Sequence, residues 1–206
     1  MLKALLCTQN PHKVKEIKEI LPTFAWQTLF DIGFNEEIPE NGATFEENAT
    51  QKALFVANRI SSPFDLLVAD DSGLEVDALN GRPGVHSARY LGNDRDYHKK
   101  CQGLLNELQS LPSPKRTARF VCVVAALLPN GTIKTLRATC EGSIAYEERG
   151  TNGFGFDPIF LPSEYGGKRT MAELSSEEKN AISHRGKAFR MLQEWLKEEG
   201  KYHGIL

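Results

Sequence analysis

The chain has 206 residues, of which 40% are hydrophobic and 25% are charged, and its formal net charge is −2 at pH 7. This composition excludes a disordered chain and favours one globular domain, spanning residues 1–206, with a substantial hydrophobic core. Because the charge balance is slightly acidic, the surface as a whole does not attract nucleic acid or anionic lipid, and a phosphate ligand has to be held by a local site.

The first 60 residues alternate apolar runs with amphipathic stretches. Pro11 suits the first turn of a helix, and Thr44 followed three residues later by Glu47 has the spacing of a capping box. In chain order, the pattern predicts a strand over residues 2–8, a helix over 11–21, a strand over 24–32, a loop over 33–44 and a helix over 45–60.

The rest of the chain continues this alternation and adds a hairpin. Asn130-Gly131 lies between two strand-like runs, which is a strong hairpin signal. Because strands and helices alternate, we expect an α/β fold. The pattern predicts strands over residues 66–69, 74–79, 120–128, 132–141 and 158–161, a polar helix over 94–108, and a helical segment over 175–199 with a break near Ser183.

The cysteines and the apolar runs bear on the cellular location. The four cysteines form neither a CxxC pair nor a closely spaced metal-ligand cluster, and we interpret them as buried free thiols. No apolar run reaches membrane-spanning length, and the apolar N-terminal stretch is too short for a signal peptide. These features predict a cytoplasmic protein with no membrane partner.

The segment between the first predicted strand and helix is a candidate phosphate site. Backbone N–H groups and the helix dipole favour an anion at a helix start, and Lys13 adds a positive charge there. The alternative is an ordinary capped turn with a solvated lysine, and the chain contains no Walker A sequence. The candidate residues are Thr8, Gln9, Asn10, Pro11, His12 and Lys13.

Two adjacent aspartates, Asp70 and Asp71, follow the apolar run of residues 66–69. Neighbouring carboxylates repel each other and resist burial unless a cation compensates them, and hard oxygen ligands suit Mg²⁺. The alternative is a turn device before Gly73. Because α/β sheets bind ligands at the carboxyl ends of their strands, we favour a metal site with Mg²⁺ as the cofactor.

Further polar residues for such a site come from the preceding loop and helix. Glu40 lies in the loop, and Glu47 lies in the first helical turn, where an acidic residue more often serves the helix dipole. Asn48 and Lys52 are four residues apart and share one face of that helix. These residues are weak candidates when taken alone.

A glycine-rich segment over residues 152–158 is a candidate binding loop for a base. Its glycines let the backbone approach a ligand, and its two phenylalanines can stack on a base, although a core-facing aromatic pair is the alternative. A later helical region adds two cations and a histidine, which ordinary exposed helix positions would also explain. The candidates are Phe154, Gly155, Phe156 and Asp157 in the loop, and Lys179, His184 and Arg185 in the helical region.

In this order, the segments resemble those of the inosine triphosphate pyrophosphatase family, and the resemblance runs nearly end to end. Each motif alone is only suggestive, whereas the ordered set is highly specific. The matching points are Thr8-x-Asn10-x-x-Lys13, Thr44-Phe45-x-Glu47-Asn48-Ala49-x-x-Lys52-Ala53, Ala69-Asp70-Asp71-Ser72-Gly73-Leu74, Gly81-x-Pro83-Gly84, Gly153-Phe154-Gly155-Phe156-Asp157-Pro158 and Glu178-Lys179-Asn180-x-x-Ser183-His184-Arg185.

The resemblance implies a twisted mixed central sheet with flanking helices, folded into two lobes around an active-site cleft. It also implies a Mg²⁺-dependent homodimer that hydrolyses ITP, dITP and XTP to the nucleoside monophosphate and pyrophosphate. Phe156 departs slightly from the family, because many members carry Tyr or Trp at that position.

The resemblance also implies roles for individual residues. Asp71 is the expected proton acceptor and metal ligand, Asp70 supports the metal, and Glu40 ranks before Glu47 as the further acidic ligand. Contacts to the substrate are expected from residues 8–13, Lys52 and Ser72, and base recognition from residues 154–157, with Lys179, His184 and Arg185 completing the substrate site.

Three other functions stay open on the sequence alone. A septum-inhibitor-type pyrophosphatase would act on modified pyrimidine nucleotides, but the loop of residues 153–157 and the run Ser183-His184-Arg185 favour the first family. A non-catalytic nucleotide- or RNA-binding module would stack bases on Phe154 and Phe156, and the acidic charge balance weighs against it. If the chain were a structural protein, Asp70 and Asp71 would be a turn device, but the other motifs would have no explanation.

Overall fold

The computed structural model of the chain describes residues 2–61, 64–92 and 96–200. In chain order, the helices and strands of these residues are β1 (Lys3–Leu6), α1 (Pro11–Ile20), β2 (Ala25–Thr28), α2 (Phe45–Ala57), β3 (Leu66–Val76), α3 (Tyr97–Glu107), β4 (Thr117–Leu127), β5 (Ile133–Ile144), β6 (Phe160–Pro162), α4 (Ser176–Ile182) and α5 (His184–Glu198). Strands and helices alternate from β1 to β4, as the apolar pattern predicts, and are followed by two further strands and two helices.

Within the described residues, six strands form one sheet in the order β2-β1-β3-β4-β5-β6. β1 pairs in parallel with both β2 and β3, whereas β5 pairs antiparallel with β6. The sheet is therefore mixed and has helices beside it. The predicted α/β fold is confirmed.

Local sequence signals fix several element ends. Thr44 and Glu47 form the predicted capping box at the start of α2. Gly131 adopts a φ of +84°, which favours glycine, and the backbone N–H of Leu128 donates to the carbonyl of Thr132 at 2.9 Å, so the predicted hairpin is confirmed. Ser183 has extended backbone and separates α4 from α5, as predicted.

β3 corrects the prediction for residues 66–79. The pattern predicted two separate strands, over residues 66–69 and 74–79, whereas β3 is one strand of 11 residues that contains Asp70 and Asp71. A turn before Gly73 was the alternative to a metal site, and adjacent carboxylates resist burial together. In a strand, however, neighbouring side chains point to opposite faces, and each aspartate meets its own cations. The expectation that both aspartates lie at the carboxyl end of a strand was wrong.

Other predicted boundaries shift by a few residues. The strand predicted over residues 24–32 is confined to Ala25–Thr28, and the helix predicted over 45–60 ends at Ala57. The predicted start of the next helix, Asp94, lies outside the described residues. Apolar periodicity locates such elements but marks their ends poorly.

The chain divides into two compact units, each with its own hydrophobic core. Unit 1 comprises Met1–Asp71, Cys122–Ala138 and Arg185–Leu206, and unit 2 comprises Ser72–Val121 and Thr139–His184. The single domain predicted over residues 1–206 stays a prediction. Core residues include Leu6, Ile17, Val68 and Phe189 in unit 1, and Leu74, Leu104, Phe120 and Phe160 in unit 2.

The cysteines lie in the interior. All four belong to the described residues and are buried free thiols, as predicted. Burial raises the pKa of Cys7 and of Cys122 to about 12, so both stay protonated near neutrality. No helix in the part of the chain that the structure describes is both long and apolar enough to cross a membrane.

Candidate active site

In unit 1, the side chain of Asp71 is held by two residues of α2. Lys52 Nζ lies 2.9 Å from Asp71 Oδ1, and Asn48 Nδ2 donates to Asp71 Oδ2 at 3.1 Å. Asn48 Oδ1 accepts in turn from the backbone N–H of Gly42 at 2.8 Å. Because Asn48 and Lys52 are one helical turn apart, α2 presents an amide donor and a cation to the same carboxylate.

Lys52 also joins Asp71 to Glu40, the acidic residue ranked first for the metal site. Its Nζ is 2.5 Å from Glu40 Oε1 and donates to the backbone carbonyl of Asp70 at 3.2 Å. Burial disfavours the charged ammonium, but the negative charges of Asp71 and Glu40 prevail and raise the pKa of Lys52 above its ordinary value. Two of the predicted metal ligands therefore converge on one buried cation.

Asp70 has a separate set of partners in unit 1. Lys13 Nζ and Arg185 Nη2 lie 3.0 and 3.3 Å from the same Oδ2 atom. Burial favours the neutral carboxyl group, but the charges of Lys13 and Arg185 outweigh it and hold the pKa of Asp70 well below its usual range. Asp70 is thus a buried anion that holds the ammonium of Lys13 in place.

Glu16 belongs to this network and was not predicted. Its Oε2 accepts from Arg185 Nη1 at 2.6 Å, and both side chains are buried. Burial opposes the charge of Arg185, but Glu16 and Asp70 raise the pKa of its guanidinium further. A signal was present in the sequence, because Glu16 is adjacent to Ile17 on the buried face of α1 and three residues beyond Lys13.

The turn before α1 is capped by its own side chains. Asn10 Oδ1 accepts from the backbone N–H groups of His12 at 3.0 Å and Lys13 at 3.4 Å, and Thr8 Oγ1 accepts from the N–H of Asn10. Gln9 Nε2 donates to a backbone carbonyl in the next loop. Gln9, Pro11 and His12 are exposed. The turn is capped, as the ordinary alternative proposed, but Lys13 faces Asp70 and is not a solvated lysine.

The donor set of unit 1 fits Mg²⁺ chemically. Glu40 and Asp71 offer hard carboxylate oxygens near one point, and Mg²⁺ is usually held by one or two carboxylates together with water and substrate phosphates. Among the described residues, no group of three or more His, Cys, Asp or Glu side chains is placed to hold a metal ion. Glu47 Oε2 accepts from the backbone N–H groups of Ala43 and Thr44, at 2.6 and 3.3 Å, in the capping box.

In unit 2, the glycine-rich loop packs against the side chain of its own residue Asp157. Asp157 Oδ2 accepts from the backbone N–H of Phe154 at 2.8 Å and from Lys179 Nζ at 2.5 Å. Gly153 has a φ of +73°, and a Cβ atom there would lie 2.0 Å from Asp157 Oδ2. The close approach requires glycine at this position. Lys179 Nζ also lies 4.9 Å from the centroid of the half-buried Phe154 ring.

The two phenylalanines of the loop have different surroundings. Phe156 is buried in the core of unit 2, edge-on to Tyr90 and Tyr97 at centroid distances of 6.1 and 5.8 Å. The Phe156 side chain therefore packs in the core, which was the alternative to stacking on a base. Gly155, with a φ of +69°, places its carbonyl 3.7 Å from Cys101 Sγ, which donates to it. Phe154 is the one of the pair that keeps partial exposure.

The remaining candidates are placed as follows. His184 is buried in unit 2, and its ring stacks on Phe120 with a centroid distance of 4.8 Å and an interplanar angle of 17°. Ser72 is half-buried within β3. Arg185 was predicted to contact substrate, and its side chain is 2% exposed within the network of Glu16 and Asp70. Its contact with substrate stays a prediction.

Comparison with known proteins gives a consistent match. The model of the Ham1 family matches residues 4–195 of this chain. A dITP/XTP pyrophosphatase of Bacillus subtilis (strain 168) is 48% identical over 198 residues, which are 95% of this chain and 98% of that protein.

Two solved structures are also similar. The Ham1 protein of Staphylococcus aureus has a TM-score of 0.83 and 38% identity, and the match covers 95% of this chain and 98% of that one. A nucleoside-triphosphatase, also titled dITP/XTP pyrophosphatase, from Mycobacterium abscessus has a TM-score of 0.74 and 43% identity over 93% of this chain and 98% of that one.

Proposed function

This chain belongs to the Ham1 family, and on that premise we propose that it hydrolyses the non-standard purine nucleoside triphosphates ITP, dITP and XTP to the monophosphate and pyrophosphate. The resemblance drawn from the motifs is confirmed by this membership. The observation that carries the proposal is the buried cluster in which Lys52 and Asn48 hold Asp71, in a chain 48% identical to a protein named dITP/XTP pyrophosphatase.

In the proposed reaction, unit 1 supplies the base and the cations. Asp71 accepts the proton of the water that attacks between the α and β phosphates. Asn48 orients its carboxylate, and in the nucleotide-free chain Lys52 holds it as well. Lys13 and Lys52 offset the charge that develops on the leaving pyrophosphate.

We propose Mg²⁺ as the cofactor, held by Asp71 and Glu40. When bound, Mg²⁺ neutralises phosphate charge and stabilises the leaving oxygen. The support is the convergence of two carboxylates on one cation in unit 1. Asp70 contributes indirectly, because it binds Lys13 and Arg185, and Glu47 ranks last, because its carboxylate caps α2.

Recognition of the base is assigned to unit 2. A 6-oxo purine needs hydrogen-bond donors at O6, whereas the amino group of adenine presents a donor where an acceptor is required. Lys179 and His184 are the donors that we propose, and the ring of Phe154 offers a partly exposed face for stacking. Asp157 fixes both Lys179 and the backbone of Phe154.

The experiment is a pyrophosphate-release assay with Mg²⁺ on a panel of nucleotides. We expect ITP, dITP and XTP to be hydrolysed about 100-fold or more faster than ATP, whose 6-amino group cannot accept from donors placed for O6, and also faster than GTP. Removal of the metal with EDTA is expected to stop the reaction, and added Mg²⁺ to restore it. Orthophosphate as the sole product would contradict the proposal.

The same panel addresses the alternatives. A preference for modified pyrimidine nucleotides would support the septum-inhibitor-type activity, which the family match does not favour. Salt-dependent binding of single-stranded RNA without pyrophosphate release would support the non-catalytic module.

We further propose that the protein is a cytoplasmic homodimer. The dimer rests on the family resemblance, and large apolar side chains such as Phe30 and Tyr146, 68% and 62% exposed, are available for a subunit contact. The location is supported by four buried free thiols, which suit a reducing compartment. Light scattering of the purified protein should give twice the 23.0 kDa chain mass. The mass of one chain at all concentrations would contradict the dimer.

A further inference from the structure

Lys52 lies between the two carboxylates that are the proposed metal ligands. Its Nζ is 2.5 Å from Glu40 Oε1 and 2.9 Å from Asp71 Oδ1, and it donates to the backbone carbonyl of Asp70 at 3.2 Å. An ammonium group has three N–H donors and no acceptor. The three contacts therefore use the full donor capacity of Lys52.

The ammonium is also shielded from solvent. The side chains of Lys52 and Asp71 are 7% and 8% exposed. The side chain of Glu40 is 31% exposed, so water reaches Glu40 but not Asp71. A buried charge that loses its partner is costly. Lys52 and the two carboxylates hold one another in place.

A divalent cation bonded to the same oxygen atoms would compete with this ammonium. Mg²⁺ binds carboxylate oxygens at about 2.0–2.1 Å, and two positive charges that share one pair of oxygens repel each other. Coordination through Glu40 Oε1 and Asp71 Oδ1 therefore requires Lys52 to leave these two oxygen atoms. The displaced ammonium then needs another anion, and the phosphates of a nucleotide supply one.

We propose that Lys52 is an internal counter-ion that couples metal binding to phosphate binding. This inference rests on the proposed function, because it takes Glu40 and Asp71 as metal ligands and a polyphosphate as substrate. Without phosphate, Lys52 holds the carboxylates, and a divalent metal binds weakly. With phosphate, Lys52 turns to the phosphate oxygens, and the carboxylates become available. Each ligand then strengthens the binding of the other, by about 5- to 150-fold for sites linked in this way.

The test measures binding of Mn²⁺, used as a probe for Mg²⁺, to the nucleotide-free full chain by electron paramagnetic resonance. Lys52→Met removes the internal cation, and we expect it to bind Mn²⁺ at least about tenfold more tightly than the wild type. Lys52→Arg keeps the positive charge and is expected to bind as weakly as the wild type. Equal affinities in the wild type and Lys52→Met would overturn the proposal.

A matched control separates this effect from net charge. Lys13→Met removes the same charge from a neighbouring position, where the lysine contacts Asp70 but neither Glu40 nor Asp71. We expect its Mn²⁺ affinity to stay within about threefold of the wild type, since Lys13 does not occupy the oxygen atoms of these two ligand carboxylates, and Asp70 keeps Arg185 as its cation. A gain as large as that of Lys52→Met would refute a specific counter-ion role.

Lys52→Met leaves two carboxylates facing each other, which lowers the stability of the fold. Thermal unfolding therefore provides a second test that an unstable variant can still pass or fail. Mn²⁺ alone should raise the Tm of Lys52→Met by more than it raises that of the wild type, and equal shifts would count against the proposal. In the wild type, Mn²⁺ with inorganic tripolyphosphate should raise the Tm by more than the two separate shifts together.

These measurements do not use hydrolysis. A chain that releases no pyrophosphate from any nucleotide refutes the proposed function. The Mn²⁺ affinities of the two Lys52 variants decide the role of Lys52.

Discussion

Asp71→Asn is expected to lower kcat for pyrophosphate release from ITP by at least about 10³-fold, because a positioned general base contributes 10²- to 10⁴-fold and this residue is also a proposed metal ligand. The substitution keeps the shape of the side chain but removes its negative charge. Lys52 retains Glu40 as an anionic partner, so the fold should persist. The rate is measured with saturating ITP and Mg²⁺, and folding is checked by circular dichroism and thermal unfolding.

Asp77→Asn is the matched control for this experiment. Asp77 follows β3 in the same segment, but its side chain is 43% exposed and pairs with Arg119. We expect wild-type kcat and KM from this variant, since the same chemical change falls outside the proposed site. If Asp71→Asn retained kcat within tenfold of the wild type, Asp71 would not be the proton acceptor.

Sequence patterns predicted those parts of the fold that local physics determines. The capping box of Thr44 and Glu47 and the Asn130-Gly131 hairpin depend on residues that are near one another in the chain, and both are found. The course of β3 was predicted wrongly, because two adjacent aspartates in a strand are tolerable only when distant cations meet each of them. No local pattern reveals those cations.

The same limit applies to the candidate site. Lys52 was named as a substrate contact, but its position between Glu40 and Asp71 follows from packing across 12 and 19 residues. Arg185 and Glu16 are 169 residues apart in the chain, so their contact has no sequence signature. The sequence left Phe156 open between stacking and packing, and burial against Tyr90 and Tyr97 accounts for its side chain.

The second large effect is expected from Arg185→Met, which should reduce the free energy of unfolding at pH 7 by about 3–5 kcal/mol. The variant keeps the apolar bulk of the side chain but removes the cation that binds both Glu16 and Asp70. Asp70 keeps Lys13, whereas Glu16 loses the guanidinium at 2.6 Å while it stays buried. Unfolding in urea at several pH values measures the change.

Arg137→Met is the control, because Arg137 also forms an ion pair in unit 1, with Glu46 at 3.0 Å, but both side chains are well exposed. We expect its loss to cost less than about 1 kcal/mol. A similar loss of unfolding free energy in both variants would mean that the buried network around Asp70 stabilises the protein no more than an exposed ion pair does.

The pH dependence gives an independent check on Asp70. Lys13 and Arg185 outweigh burial and keep the pKa of folded Asp70 below the value of about 3.9 expected when the chain is unfolded, so its stabilising contribution is present above that pH and declines as the pH falls. Without Arg185 the pKa of Asp70 in the folded chain rises, and the contribution of ionised Asp70 to the free energy of unfolding becomes smaller. The stability gap between the wild type and Arg185→Met should therefore narrow as the pH falls below about 4, from the unfolded pKa of Asp70 toward its folded pKa. A gap of constant size across that range would show that Arg185 stabilises the protein by packing and not through its charge.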